Sequence, residues 1–410
     1  LKGGVSVWRR DCVTGQIDFT ALCLFGVALQ RLLCGFLFCF FLIHVSPSLA
    51  GDADIWSMQV KSYYGEYDAG QKSKGYASAS LARPRLEEWM PPPTMAPGKE
   101  RNYTIGVSFP HYGYSLWKAV NYGILEEAKR LGIAVRVMEA GGYGMIDRQQ
   151  EQLRQLAQAG VDGILLGSVS YSGNNDAIAE LKKQGIPVVG VVNDVSAPDL
   201  AAKALVSFLD MGYYAGEFIA LDAERRGLRE VRVAAFPGPK KSGWSADSLH
   251  GLLEALQEFP GPVRVVETSW GSLDSSKQRD LVRRSLMEHP DVDYVVGNAV
   301  AADVAYDILL GIGMAKRTTI VSTYIMPGLY EKIREGQVAA APSGLMIFQG
   351  RMAVDMLIRL LDGDKAGKDF PFRSGPFIPL ITTDNIDRFP YEALFGPRDY
   401  KPILRLDSGR

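Results

Sequence analysis

VRVMEAGGYG (135–144) and VDGILLG (161–167) return later in the chain as VRVVETSWG (263–271) and VDYVVGN (292–298). The second copies start 128 residues (135 to 263) and 131 residues (161 to 292) after the first. Each copy is a short apolar run rich in β-branched residues, the pattern of a buried strand. A near-constant offset across two strands marks the repeat of a whole βα unit rather than of a short solenoid turn. The repeat therefore predicts two similar α/β lobes in one chain.

The flanking segments extend the pattern. TIGVSF (104–109) reads as a first strand, and SLWKAVNYGILEEAKRLG (115–132) as a helix stopped by Gly132. DRQQEQLRQLAQAG (147–160) and DAIAELKKQG (176–185) read as helices between VDGILLG and IPVVGVVND (186–194). VRVAAFP (231–237) restarts the series with the same closing Phe-Pro as TIGVSFP. Strands alternating with helices over short links predict, in each lobe, a parallel sheet flanked by helices. The fold class is α/β, two Rossmann-like lobes joined by a hinge, with a ligand cleft between them. The expected partition is 103–208 with 342–377 for the first lobe, and 209–341 with 378–410 for the second. FQGRMAVDMLIRLLDG (348–363) is an amphipathic helix returning to the first lobe, and the tail 376–404 is strand-like.

The segment before Tyr103 reads differently. Arg31 precedes an apolar run, and Ser48-Leu49-Ala50 offers small residues where a signal peptidase reads. Residues 1–50 are thus an upstream segment plus a secretory signal, with cleavage expected after Ala50 and the periplasm as destination. The alternative is an uncleaved membrane anchor. Residues 51–102 hold Pro91-Pro92-Pro93 and no regular period, and read as an extended arm that either packs across a lobe or stays unattached. All four cysteines (Cys12, Cys23, Cys34 and Cys39) precede the cut, so the exported chain has no disulfide, thiol nucleophile or cysteine metal site. A net charge of -1 leaves no basic excess for nucleic acid.

Open α/β sheets bind ligands beyond the carboxyl ends of their strands. Those edges carry Phe109, His111, Tyr112, Tyr114 and Trp117, then Tyr143 after a double glycine, then Asn193 and Asp194. The second lobe presents Trp244, Trp270, Asn298 and Tyr324 at the same edge. A single aromatic there more often packs a lobe than meets a ligand, and Asp194 is as well explained as a turn cap. The recurrence of aromatics at equivalent edges is what points to a pocket. Catalytic signatures are missing: no phosphate loop, no G-x-S-x-G elbow, and three scattered histidines (His111, His250, His289) after the signal. No cofactor and no metal site is expected.

MEAGGY (138–143), QQEQLRQLAQAGVDGILLGSVS (149–170), VNDVSAP (192–198), FPGPKKSG (236–243) and HPDVDYVVGNAVAAD (289–303) together resemble the TorT-type periplasmic binding proteins, within the type I superfamily that includes ribose receptors. The resemblance spans roughly 103–365. It implies a small ligand, trimethylamine N-oxide (TMAO) or a related methylated amine, and a partner in the periplasmic domain of a sensor histidine kinase. It also implies a cage: Trp117, Tyr143 and Tyr324 keep aromatic positions of the family, and Phe208 stands where the family has tryptophan. Leu116 replaces a tyrosine and Tyr114 an acidic residue. With the polar edge residues Asn193, Asp210 and Asn298, these make the candidate site. The competing reading is the substrate-binding component of an ATP-driven importer for a sugar or similar solute, for which the same polar residues are suitable. An enzyme is the third and least supported reading, and neither nucleic acid nor stable membrane insertion after cleavage is expected.

Overall fold

The computed structural model describes residues 58–65, 83–95, 101–113, 115–240 and 242–408. The signal segment, the remainder of the arm and the candidate residue Tyr114 lie outside the described residues.

Six parallel strands make the centre of the first lobe: β3 (Thr104–Phe109), β4 (Ala134–Glu139), β5 (Gly163–Leu166), β6 (Val188–Val191), β7 (Ala202–Ala204) and β13 (Arg373–Pro376). β5 and β6 are buried along their whole length, as expected for apolar runs covered by helices on both faces. The covering helices include α1 (Ser115–Leu131), α2 (Ile146–Gln158), α3 (Asn175–Lys183) and α9 (Met346–Leu361). The second sheet holds β8 (Val231–Gly238), β9 (Val263–Trp270), β10 (Tyr294–Gly297), β11 (Thr319–Ser322), β12 (Ala340–Pro342) and antiparallel β14 (Leu380–Thr382). Its helices are α4 (Phe208–Arg225), α5 (Gly243–Leu256), α6 (Ser275–Glu288), α7 (Ala299–Gly311) and α8 (Pro327–Arg334).

Strand order runs β4-β3-β5-β6-β7 in one sheet and β9-β8-β10-β11-β12 in the other. Both lobes thus have the 2-1-3-4-5 order, so the repeated strand pairs occupy equivalent places. Each lobe also draws two helices into close contact through glycine. A Cβ on Gly123 of α1 would lie 2.1 Å from the Ile347 carbonyl oxygen of α9, and one on Gly212 of α4 would lie 1.9 Å from the Ser248 oxygen of α5.

The described part of the arm packs onto the first lobe. β1 (Met58–Tyr63) and β2 (Arg85–Trp89) form an antiparallel pair, and β1 joins β13. Buried Trp89 donates its indole N–H to Asp355 of α9 at 2.8 Å, and Arg130 and Arg359 donate to the Pro92 and Met90 carbonyls. The C-terminus departs from the expected partition. β15 (Arg405–Leu406) pairs with β4 in the first sheet, not with the second lobe. The tail 376–404 contains only β14 as strand, with a 3-10 turn at 386–388 and a short α10 (Tyr391–Phe395). Pro379, Pro390, Pro397 and Pro402 supply no N–H for a continuous ladder.

Candidate ligand cage

The cage is assembled where both sheets end. Phe109 closes β3 inside the core, and Trp117, two residues into α1, leans on it with ring centroids 4.9 Å apart. The ring comes close to the end of β5 because residue 167 is glycine: a Cβ there would be 2.4 Å from Trp117. After β4, Gly141 and Gly142 adopt φ of 96° and 154°, which side-chain-bearing residues avoid. Their turn presents Tyr143.

β6 ends in a tight turn. Val192 has φ 65°, unfavourable for a β-branched residue, and the Asn193 amide donates back to the Val191 carbonyl at 2.7 Å. The turn holds Asn193 so that its side-chain amide donates to the Ser168 carbonyl at 2.7 Å and to the Tyr143 hydroxyl at 3.3 Å. Burial raises the Tyr143 phenol above its ordinary range, with hydrogen bonds from Asn193 and Trp117 acting against it.

The second lobe closes the cage with Trp244 of α5, Tyr324 after β11, and the apolar Leu273 and Met326. Phe208 enters at the first residue of α4, where the chain crosses between lobes, and Ser207 caps that helix by accepting from the Asp210 N–H. Trp244 links these parts: its ring centroid is 5.8 Å from Phe208, 5.8 Å from Tyr324 and 6.5 Å from Tyr143 of the first lobe. The cavity between these side chains is about 30 Å³. That exceeds the ~10–15 Å³ one water needs and is far below the ~300 Å³ where drug-sized pockets begin. Among the described residues no Asp, Glu, Lys or Arg lines it. Trp244 is 4% exposed, and its indole nitrogen has no hydrogen-bond partner among the described residues. A buried donor left unpaired costs ~1–3 kcal/mol.

Five of the expected site residues therefore come together: Trp117, Tyr143, Asn193, Phe208 and Tyr324. Two do not. Asp210 points to the arm, 3.4 Å from the Lys61 ammonium of β1. Asn298 caps α7: its oxygen accepts from the Val300 and Ala301 amides, and its nitrogen donates to Phe236 and Gln278. Nothing is left on that side chain for a ligand. Asp194, read as a turn cap or edge residue, pairs with buried Lys203. Trp244 was visible as an edge aromatic, but its place at the centre of the cage was not. Val192, Leu273 and Met326 gave no signal, since apolar residues after strands are ordinary core residues.

Two other places bring possible ligand groups together. A larger cavity, about 400 Å³, is lined by Thr104, Ala134, Arg136 and Leu406. It sits at the amino ends of β3 and β4, the wrong edge for a ligand in such sheets. Glu267, Glu288 and His289 bring ligand atoms within 4.8 Å of one another on the second lobe, but none of them lines the cage.

A family model described as "Periplasmic binding protein domain" matches residues 105–365. The chain belongs to this family. It is 33% identical over 308 residues to the periplasmic protein TorT of Escherichia coli (strain K12), covering 74% of this chain and 85% of that protein. Among solved structures, an ABC transporter solute binding protein from Bradyrhizobium sp. BTAi1 with bound bis-tris matches at TM-score 0.72 and 31% identity, over 87% of this chain and 100% of the other. TorT in complex with the TorS sensor domain in the presence of TMAO matches at TM-score 0.65 and 29% identity, over 74% and 100%. The family is one of binding proteins, and its two-lobed α/β architecture is the one found here. Among the described residues no helix is long and apolar enough to cross a membrane.

Proposed function

We propose that this chain is an exported periplasmic receptor, not an enzyme, which closes its two lobes over TMAO or a related methylated amine and signals occupancy to the periplasmic domain of a sensor histidine kinase. The observation that carries the reading is the cage itself: aromatic side chains from both lobes around a cavity of about 30 Å³ with no charged side chain among the described residues of its wall. Aromatic faces attract a methylated cationic nitrogen by about 0.5–2 kcal/mol each. A monosaccharide needs more hydrogen-bonding groups and more room than this wall supplies. The likeness to TorT over three quarters of the chain supports the sensory role.

A second reading has an observation of its own. Residues 103–410 make up about three quarters of the sequence, so a match over 87% of it has to include part of the arm. The arm is thus shared with a solute-binding protein of an ABC transporter, which supports the importer component as the alternative.

The test is thermal unfolding of the purified chain with TMAO, betaine, choline or ribose. A ligand at one hundred times its dissociation constant stabilises the fold by about 2.7 kcal/mol. A shift with TMAO that Trp117→Ala abolishes is the expected outcome. A shift with ribose and none with TMAO overturns the proposal in favour of import.

A further inference from the structure

We infer that Trp244 supplies, from the second lobe, the hydrogen-bond donor for the ligand's acceptor atom, so that the cage selects a methylated amine bearing an oxygen over a cation of similar size without one. The inference rests on the function proposed above and names the residue that discriminates within that ligand class.

The other described buried indoles have partners. Trp89 donates to Asp355 at 2.8 Å, and Trp117 hydrogen-bonds to the Tyr143 hydroxyl. Trp244 is equally buried, sits in the cavity wall, and its N–H meets no acceptor among the described residues. Buried polar groups in folded proteins are nearly always satisfied, and those that are not call for a ligand or an ordered water. Phe208, 5.8 Å away, has no polar atom to offer. Tyr143 already accepts from Asn193 and from Trp117, which leaves its own hydrogen to donate. Two donors thus border a cavity otherwise walled largely by apolar and aromatic groups. An amine oxide fits that arrangement, since its oxygen accepts and its methyls pack on the rings. Tetramethylammonium fills the same rings and offers no acceptor.

The experiment is calorimetric titration of the full chain and of Trp244→Phe with TMAO and with tetramethylammonium. The variant keeps a ring and loses the N–H. Its affinity for TMAO is expected to fall about 10-fold, with little change for tetramethylammonium. Equal losses for both probes, or no loss for TMAO, overturn the inference. In the ¹⁵N-labelled parent, the Trp244 indole resonance is expected to move downfield when TMAO is added; this measurement does not depend on the variant folding. A wild-type chain silent to TMAO and to the other methylated amines overturns the proposed function. An indole resonance that stays fixed in a chain that does bind TMAO overturns this inference alone.

Discussion

Tyr171, on the loop after β5 in the first lobe, donates its hydroxyl to Asp247 of α5 in the second lobe at 2.9 Å. The loop is anchored from behind, because the Ser196 amide donates to the Tyr171 carbonyl at 2.7 Å. The phenol ring lies over Gly243, where a Cβ would come within 2.3 Å of it. This contact joins the lobes outside the cage, since neither residue lines the cavity. Tyr171→Phe should therefore weaken ligand binding by about 3- to 10-fold, the worth of one hydrogen bond, without altering any cage residue. Gly243→Ala should do more, because the ring has to leave. Small-angle scattering should show both variants with a larger radius of gyration than the parent, Gly243→Ala the larger of the two. Unchanged scattering and unchanged affinity would exclude the role.

The spacing of α4 and α5 sets the distance between Phe208 and Trp244. Gly212 and Gly251 let the two helices touch through their backbones: a Cβ at either would fall 1.9 Å from a carbonyl oxygen of the partner helix. Backbone cannot yield as a flexible side chain does. Gly212→Ala should cost about 1–3 kcal/mol by overpacking and should also widen the cage. The expected result is a lowered melting temperature together with weaker binding. Gly227→Ala makes a useful control: it meets nothing within 4 Å and has φ 67°, so it should lower stability by strain alone and leave affinity intact.

The lobe architecture was legible because it is written twice. The apolar runs at 135 and 161 recur at 263 and 292, and the two sheets place them at equivalent positions. The aromatic cage residues were legible because Trp117, Tyr143 and Tyr324 lie on the segments that leave the carboxyl ends of strands, and Phe208 through its matching position in the family. Asp210 and Asn298 misled because a polar residue at a helix start has two uses, and here local ones prevailed: an ion pair with the arm and an N-cap. The destination of Arg405–Leu406 could not be read, since two residues carry no period and their partner β4 is about 270 positions away.

A buried acidic site under the arm gives a pH signature. Burial holds the Asp355 carboxyl well above the usual carboxylate range, and neighbouring Glu127 adds to the effect. With its folded pKa raised, the group favours the folded state most below its unfolded pKa, and that contribution is lost as pH rises through the folded pKa. At pH 7–8 the protein therefore carries a destabilising buried group. Asp355→Asn keeps an acceptor for the Trp89 indole and removes the ionisation. It should melt at or above the parent at pH 8, and the advantage should disappear near pH 4. Melting curves of both proteins across that range decide the matter, and an advantage that grows on acidification would reverse the sign.

The strained turn at Val192 has its return in Asn193. That side chain is buried and spans two groups, the Ser168 carbonyl and the Tyr143 hydroxyl. Asn193→Ala leaves the carbonyl without this donor and frees the tyrosine ring to turn, so stability should fall by about 1–3 kcal/mol and ligand affinity should fall with it. Tyr143→Phe keeps the ring in place and should cost less in stability, while affinity falls because one donor to the ligand is lost. If Asn193 acts on the ligand through Tyr143, the double variant should bind no more weakly than Asn193→Ala alone, a coupling within the 0.5–3 kcal/mol range seen for contacting residues. Fully additive losses in calorimetric titration would instead mean that Asn193 and Tyr143 act on the ligand independently, with the turn serving only the fold.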